Sequence, residues 1–119
     1  MSRAYVAGKW EDREKVQWVQ ARLRALGDTI THDWTNSREI DREEALRDIE
    51  GVKQCDMLVA VLSEEYSHRG TWVEIGAALA LGRPVYIIGN GGPCIFTAHP
   101  LVTYISEEDL GSIWAYSSA

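Results

Sequence analysis

The chain has 119 residues, of which 45% are hydrophobic and 25% charged, and this length and composition are typical of a single globular domain over residues 1–119. The formal net charge of −6, with no basic stripe to offset it, argues against nucleic acid or an anionic membrane as the main partner. The longest weakly charged run, residues 70–82, is too short to span a bilayer. Cys55 and Cys94 lie far apart and are interpreted as reduced thiols, so we expect a cytoplasmic protein.

Short apolar runs alternate with segments of helical periodicity along the chain. In chain order, they predict a strand at 4–8, a helix at 11–26, a strand at 29–34, a helix at 37–52, a strand at 57–62, a helix at 71–81, and strands at 84–88 and 101–105. Ser106 and Asp109 resemble a capping box for a short last helix. The alternation predicts an α/β protein with a three-layer flavodoxin-like or Rossmann-like fold and about five mostly parallel strands. The strand at 57–62 is apolar throughout, so we expect it to be central.

The second predicted helix carries a carboxylate on its apolar face. Ile40, Ala45, Ile49 and Val52 recur at helical spacing and are expected to face inward. Asp48 lies three residues after Ala45 and four before Val52, so it shares their face. This spacing fits a functional carboxylate and a tolerated one at the helix margin equally well.

The carboxyl ends of the strands locate the ligand site, because ligands of open parallel sheets bind beyond those ends. Residues at or just beyond the carboxyl ends of the predicted strands are therefore candidates for substrate binding: Gly8, Trp10, Asp33, Trp34, Ser63 and Asn90. A planar ligand can stack on Trp10 or Trp34, although packing in the core is the default interpretation of either side chain. The three histidines have no ligand-like spacing, so no metal and no other cofactor is expected.

One carboxylate stands apart between Arg69 and Arg83, where Glu74 is the sole ionisable residue. It falls in the first turn of the predicted helix, where the helix dipole favours an acidic residue by roughly 0.3–1 kcal/mol. The dipole explains the position of Glu74 but not its apolar neighbours, which are Trp72, Val73 and Ile75. Desolvation in such a place raises the pKa of a carboxyl group, and a carboxylate in a dry cleft suits a nucleophile or a general base. The position alone leaves the structural and the catalytic role equally open.

Three stretches resemble the nucleoside 2-deoxyribosyltransferase family: YVAGKW near the start, RDIEGVKQCDMLVAVL in the middle and RGTWVEIGAALALGRPVYII after it. The resemblance covers roughly residues 5–88, and its most specific part is the Glu-Ile-Gly block joined to the preceding Asp pattern. It implies that Glu74 attacks the anomeric carbon of a nucleoside or nucleotide, that Asp48 protonates the leaving base, and that Tyr5 positions Glu74 through a hydrogen bond. It also implies substrate binding at Gly70 and a homodimer or higher homo-oligomer.

Two other functions stay open on the sequence. The stretch LSEEYSHRGTWVEIGAAL also resembles the TIR-domain pattern, in which the helical Glu serves cleavage of the nicotinamide glycosidic bond of NAD. The other is a non-catalytic nucleotide-binding or sensing module. Family members often have an Asp that holds the sugar hydroxyls shortly before the Gly that precedes the catalytic Glu, and this chain has His68 and Arg69 there. Release of free base from deoxynucleosides, deoxynucleoside monophosphates and NAD distinguishes these functions.

Overall fold

The structure of the protein is a computed structural model that describes residues 2–64, 67–92 and 94–112. Within these ranges, the strands are β1 (Arg3–Ala7), β2 (Thr29–Ile30), β3 (Met57–Leu62), β4 (Val85–Gly89) and β5 (Val102–Ile105). The α-helices of the same ranges are α1 (Arg13–Ala25), α2 (Arg42–Gln54) and α3 (Arg69–Ala80). Short 3-10 helices lie at Trp10–Asp12, Ile95–Ala98 and Glu107–Ser112.

The strands form one parallel sheet in the order β2-β1-β3-β4-β5. β3 lies at its centre, pairs with β1 on one side and β4 on the other, and has all six of its residues buried. A strand covered on both faces has no side toward water, which is why β3 is apolar without alternation. The predicted α/β class, the mostly parallel sheet and the central position of the strand at 57–62 are confirmed.

The path of the chain across the sheet reverses once and creates a switch point between β1 and β3. From β1 the chain moves to β2 at one edge, returns past β1 to β3, and then continues outward to β5. Right-handed crossovers place connections of opposite direction on opposite faces, so α1 covers one face and α2 and α3 cover the other. α2 and α3 pack against each other. In sheets of this kind, ligands bind in the crevice at the switch point, beyond the carboxyl ends of the strands.

The predicted strand at 29–34 is shorter in the structure, where its first two residues pair with β1. The Thr31 N–H still donates to the Ala4 carbonyl at 2.9 Å, and beyond Thr31 the segment leaves the ladder. The Thr31 hydroxyl donates to the Gly51 carbonyl at 2.7 Å, and the Trp34 indole N–H donates to the Val6 carbonyl at 2.8 Å. These contacts turn the segment across β1 and toward α2 instead of extending the sheet.

α2 begins later than predicted, at Arg42. The Asp41 side chain caps it by accepting a hydrogen bond from the Glu44 N–H at 2.8 Å, which is the usual function of an aspartate at this position. Ile40 precedes the helix and is 99% exposed. The expectation that Ile40 faces inward is therefore wrong.

The buried face of α2 also differs from the predicted one. Val52 is buried as expected, together with Glu44 and Gly51. Ala45 and Ile49 are exposed, so the inward orientation predicted for them is wrong. They border an open cavity, and a polar residue, Glu44, lies on the buried stripe in place of an apolar one. Apolar periodicity alone does not distinguish a cavity wall from a core face.

α3 begins at Arg69, two residues earlier than predicted. The Trp72 N–H donates to the His68 carbonyl at 2.9 Å and closes the first turn. Glu74 therefore lies in the second turn, and its predicted place in the first turn is wrong. The helix dipole acts mainly within the first turn, so the reason for a carboxylate at this position has to come from its contacts.

The short last helix is the 3-10 segment Glu107–Ser112. Ser106 Oγ donates to Asp109 Oδ2 at 2.9 Å, and the Asp109 N–H donates to the Ser106 carbonyl at 3.1 Å. Residues 113–119 of the predicted single domain lie outside the described residues. Over the described ranges, every helix is too short or too polar to cross a membrane.

Candidate active site

A cavity of about 500 Å³ lies at the carboxyl end of β1, beside α2 and the start of α3. Several of the residues predicted from the sequence line it: Tyr5, Gly8, Trp10, Trp34, Asp48, Gly70 and Glu74. The three predicted catalytic residues come from three different elements, β1, α2 and α3. The cavity coincides with the switch point of the sheet, where ligands of such folds bind.

Tyr5 and Glu74 form a short hydrogen bond in this cavity. The Tyr5 hydroxyl donates to Glu74 Oε2 at 2.5 Å. Tyr5 is completely buried, and this burial, followed by the charges of Glu74 and Asp48, raises the pKa of its phenol far above the ordinary value. The phenol therefore stays protonated and is a permanent donor that fixes the orientation of the carboxylate.

Burial raises the pKa of Glu74 to about 8. The hydrogen bond from Tyr5 lowers this pKa, and the nearby charge of Asp48 raises it. The expected direction of the pKa, its cause in desolvation and the opposing hydrogen bond from Tyr5 are confirmed. A carboxyl group that is desolvated and held in one orientation is suited to act as a nucleophile or a base.

Asp48 lies on the cavity wall, one turn after Glu44 on α2. Burial raises its pKa to about 6, with further contributions from a hydrogen bond to Glu44 and from the charge of Glu44, while His32 and Arg47 lower it. Asp48 Oδ1 is buried and has no hydrogen-bond partner in the described part of the chain. A carboxyl group that keeps part of its proton near neutral pH can donate a proton as well as accept one.

His32, Glu44 and Asp48 form a compact group beside the cavity, with their polar atoms within 4.8 Å of one another. His32 Nε2 lies 2.9 Å from Glu44 Oε2 and 3.3 Å from Asp48 Oδ1. The 2.9 Å separation of His32 Nε2 and Glu44 Oε2 is that of a hydrogen bond, so we describe the group as a hydrogen-bonded cluster. A histidine with two carboxylates also has the composition of a metal site.

Gly51 brings α2 close enough to β1 for these side chains to meet. A Cβ atom at Gly51 would lie 2.9 Å from the Tyr5 ring and 2.9 Å from His32 Cβ, a separation that real Cβ atoms essentially never show. The absence of a side chain therefore lets Tyr5 and His32 pack directly against the helix that carries Asp48. One glycine thus sets the distance between the two halves of the site.

The predicted aromatic and glycine positions have different surroundings. Trp10 is half-buried and carries the Arg13 guanidinium 4.5 Å from its ring centroid. Trp34 is 9% exposed and donates its indole N–H to a carbonyl of β1, so it is mainly a core residue. A Cβ atom at Gly8 would lie 2.6 Å from Val16 Cγ2, so close packing requires Gly8. Of the two tryptophans, Trp10 offers more open ring surface to a base.

Asp33, Ser63 and Asn90, which were predicted to bind substrate, are not among the residues that line this cavity. Asp33 accepts hydrogen bonds from the N–H and the hydroxyl of Thr35 at 2.9 and 2.6 Å. Ser63 Oγ donates to Asp12 Oδ2 at 2.9 Å. Asn90 is exposed and accepts from the backbone N–H two residues later. Each of these residues forms its hydrogen bonds at the end of its own strand. The carboxyl edge of the sheet is wider than one cavity, so residues at the ends of different strands do not all line it.

His68 occupies the position where the family often has an Asp. It is 3% exposed and is not among the cavity-lining residues. His68 Nε2 lies 2.5 Å from the Ser63 carbonyl, which ties the start of α3 to the end of β3. Thr71, which is also buried, does line the cavity. Of these two buried residues, Thr71 and not His68 therefore lies at the cavity wall.

Several residues that line or support the cavity were missed by the sequence reasoning: Lys9, His32, Arg38, Glu44 and Thr71. Asp41 and Glu44 match a capping box, in which the Glu side chain reaches back to the first residue of the box. In the structure, the Glu44 side chain contacts His32 instead. His32 had no signal along the chain, because its partners belong to another element.

The fold and the site together define the class of protein. An α/β sheet that presents a carboxylate oriented by a phenol, and a second carboxyl group in the same cavity, has the groups that nucleophilic and acid–base catalysis requires. The pKa values of the two carboxyl groups, about 8 for Glu74 and about 6 for Asp48, are both raised and differ from each other. Two carboxyl groups that face one cavity are the machinery of glycosidic bond cleavage.

Residues 4–95 match the family model described as nucleoside 2-deoxyribosyltransferase. Because the match spans most of the chain, the protein belongs to the nucleoside 2-deoxyribosyltransferase family, and the resemblance seen in its three stretches is confirmed. Enzymatic cleavage or transfer at an N-glycosidic bond is confirmed with it, and the TIR-domain alternative is not favoured. No curated protein sequence matches the chain.

Solved structures of two bacterial enzymes share this fold. The Clostridium botulinum CMP N-glycosidase BcmB superposes with a TM-score of 0.69 at 24% sequence identity, covering 96% of this chain and 98% of that chain. A 2-deoxyribosyltransferase from the psychrotolerant bacterium Bacillus psychrosaccharolyticus has a TM-score of 0.65 at 23% identity, covering 93% of this chain and 89% of that chain.

Proposed function

We propose that the protein breaks the N-glycosidic bond of a small-molecule nucleoside or nucleotide through a covalent intermediate on Glu74. The observation that carries the proposal is the 2.5 Å hydrogen bond from Tyr5 to Glu74 in the cavity that Asp48 also lines. The fold shared with a CMP N-glycosidase and a 2-deoxyribosyltransferase supports it, since both of those enzymes act on such bonds.

In the first step, which starts from the form of the protein with Glu74 ionised and Asp48 protonated, a carboxylate oxygen of Glu74 forms a bond to the anomeric carbon as the carbon–nitrogen bond breaks. With a pKa of about 8 for Glu74 and about 6 for Asp48, this form is the minor one of the two that carry a single proton on the pair. The bonding electron pair leaves with the base, and Asp48 gives its proton to a base nitrogen, so the base departs neutral. Positive charge develops on the sugar in the transition state and is stabilised by the adjacent carboxylate. Tyr5 holds that carboxylate in place through Oε2.

In the second step, an acceptor attacks the anomeric carbon and the bond to Glu74 breaks, with the electron pair returning to the carboxylate. Asp48, now ionised, takes a proton from the acceptor and is ready for another cycle. Water as the acceptor gives a free sugar, and a second base gives a new nucleoside. The acceptor therefore decides whether the protein works as a hydrolase or as a transferase.

The test is the release of free base, followed by chromatography, from deoxynucleosides, deoxynucleoside monophosphates and NAD. Glu74→Gln keeps the shape of the side chain but removes the nucleophile, so we expect it to abolish release. Glu50→Gln is a matched control, because Glu50 is an exposed residue of the same domain that pairs with Lys53 at 3.7 Å. A nucleoside with fluorine on its sugar slows the second step, so mass spectrometry should detect a glycosyl adduct on the parent protein but not on the variant.

Two outcomes would contradict this function. Release by the Glu74→Gln protein at the parental rate would remove Glu74 from the mechanism. Tight nucleotide binding by the parent protein without any release would favour the sensing module. Release from NAD alone would restore the TIR-like substrate class while keeping the role of Glu74.

We further propose that the protein acts in the cytoplasm as a homodimer or higher homo-oligomer. Exposed apolar side chains on α2 and α3 support this assembly, namely Leu46, Ile49 and Val73, because such side chains gain by being covered. The free thiols of Cys55 and Cys94 are consistent with a reducing compartment. Light scattering should give at least twice the mass of one chain, and a monomer at assay concentrations would contradict the assembly.

A further inference from the structure

We propose that Glu44 and His32 are positioning residues that set the protonation of Asp48 before the base leaves, Glu44 by favouring the protonated carboxyl group and His32 by favouring the ionised one. This inference rests on the acid function proposed for Asp48. Neither residue was assigned a role by the sequence, and both contact the carboxyl group that has to deliver the proton. Their function would be to set the protonation and the orientation of Asp48, not to touch the substrate.

The first argument is the spacing of two acidic residues on one helix. Glu44 and Asp48 are four residues apart on α2, so their side chains lie on the same face. The exposed fractions of their side chains are 10% and 31%, which leaves little water to screen two negative charges. Two carboxylates this close do not both ionise readily, so one of them retains a proton.

The second argument is the direction of the Glu44 side chain. Its backbone N–H donates to Asp41 Oδ1 at 2.8 Å, as in a helix cap, and a capping box would send its carboxylate back toward solvent and Asp41. Instead, Glu44 Oε2 is 2.9 Å from His32 Nε2. Burying a carboxylate costs free energy unless it gains partners, so this inward position is retained for its contacts with His32 and Asp48.

The third argument is the carboxyl oxygen of Asp48 that accepts no hydrogen bond. Asp48 Oδ1 is buried and lacks a hydrogen-bond partner among the described residues, although His32 Nε2 lies 3.3 Å away. His32 Nε2 is nearer to Glu44 Oε2, at 2.9 Å, so its contact with Asp48 Oδ1 is the weaker of the two. Because no hydrogen bond among the described residues fixes this oxygen, a proton on Asp48 can be passed to a base in the cavity.

The charged and titratable groups that face Asp48 come from several elements: Tyr5 on β1, His32 after β2, Glu44 and Arg47 on α2, and Glu74 on α3. Other charged residues lie along the cavity wall: Lys9, Glu11, Arg38 and Glu39. Of the near neighbours, Glu44 favours the protonated form of Asp48, whereas His32 and Arg47 favour the ionised form. Removing Glu44 and removing His32 should therefore change the proton affinity of Asp48 in opposite directions.

The test that needs no substrate is a titration followed by NMR. Carbon-13 labelling of aspartate allows the Asp48 carboxyl carbon to be followed against pH, with Asp48→Asn for assignment. In the parent protein, we expect the midpoint near the Asp48 pKa of about 6. Glu44→Gln should move it toward the ordinary pKa of 3.8, by more than about 0.5 pH unit, and His32→Asn should move it upward. Glu43→Gln, an exposed change of the same charge on the same helix, should move it less.

The second readout is the pH dependence of base release. Glu44→Gln should shift the acidic limb of kcat/KM to lower pH. It should also slow the release of bases that leave only after protonation, by about tenfold for each pH unit by which the Asp48 pKa falls. A nicotinamide nucleoside, whose base leaves neutral without a proton, should be released at the parental rate. A merely structural role would slow both substrates equally at every pH.

Three results would overturn the proposal. One is an Asp48 titration midpoint in the Glu44→Gln protein that equals that of the parent. Another is a shift of this midpoint in the same direction for Glu44→Gln and His32→Asn. The third is a rise in the melting temperature of the parent with Zn²⁺ that Glu44→Gln abolishes, because the group would then hold a metal ion. If the parent releases no base from any substrate, the proposed function fails, while the NMR titration still decides the inference about Asp48.

Discussion

Replacing Glu74 by Gln should make the protein more stable than the parent protein at alkaline pH. We expect the same change to abolish base release. Burial raises the pKa of Glu74 from its ordinary value of 4.5 to about 8. In the unfolded chain, Glu74 ionises near the ordinary value, so between these two pH values the folded protein binds more protons than the unfolded one. Its free energy of unfolding therefore falls with rising pH, and the stability present below the lower pKa is lost as the pH passes the upper one.

The size of this effect follows from the two pKa values of Glu74, 4.5 and about 8. At about 1.4 kcal/mol per pH unit, the parent protein loses roughly 5 kcal/mol across this window, and relaxation of the site makes this an upper bound. The Gln side chain is neutral throughout, and its oxygen still accepts the hydrogen bond from Tyr5. The variant and the parent should therefore differ little near the lower pKa and most above the upper one.

Urea unfolding of both proteins from about pH 5 to about pH 8.5 measures this difference. All other titrating groups are common to the two proteins, so the difference in the free energy of unfolding isolates Glu74 and the groups coupled to it. Glu50→Gln serves as the control, because that side chain is exposed and should give a difference that does not change with pH. A constant difference for Glu74→Gln, or a variant less stable than the parent at alkaline pH, would refute the burial argument.

Three further predictions concern the walls of the site. Tyr5→Phe removes the donor that lowers the pKa of Glu74, so a smaller fraction of Glu74 is ionised at neutral pH. Base release at neutral pH should therefore fall, and an unchanged rate would contradict the orienting role of Tyr5. Gly51→Ala places a methyl group 2.9 Å from Tyr5 and His32 and should destabilise the protein by about 1–3 kcal/mol, seen as a lower melting temperature; an unchanged value would show that α2 moves away freely. The new methyl group of Gly70→Ala meets nothing within 4 Å, so this change should leave the melting temperature unaltered. It should raise KM, because it narrows the cavity. Gly76→Ala, a change in the same helix that is equally uncrowded, should leave KM unchanged.

The sequence predicted those features that depend on neighbouring residues. The apolar run at 57–62 identified the central strand, because burial on both faces removes alternation from the pattern. The alternation of strands and helices predicted the parallel sheet and, through it, the edge at which ligands bind. Glu74 was recognisable because an isolated carboxylate in an apolar segment needs an explanation from its contacts. These signals are local, so they are readable before the chain is folded.

Only the tertiary structure decided how the site is assembled. Tyr5 and Glu74 are 69 residues apart in the chain, and the contact between His32 and Glu44 joins a loop to a helix. The rotation of α2 placed Glu44 on the buried stripe and left Ala45 and Ile49 exposed, against the apolar pattern. That rotation depends on how closely Gly51 lets α2 approach β1, which is a packing distance between separate elements, and residue spacing along one helix carries no information about it.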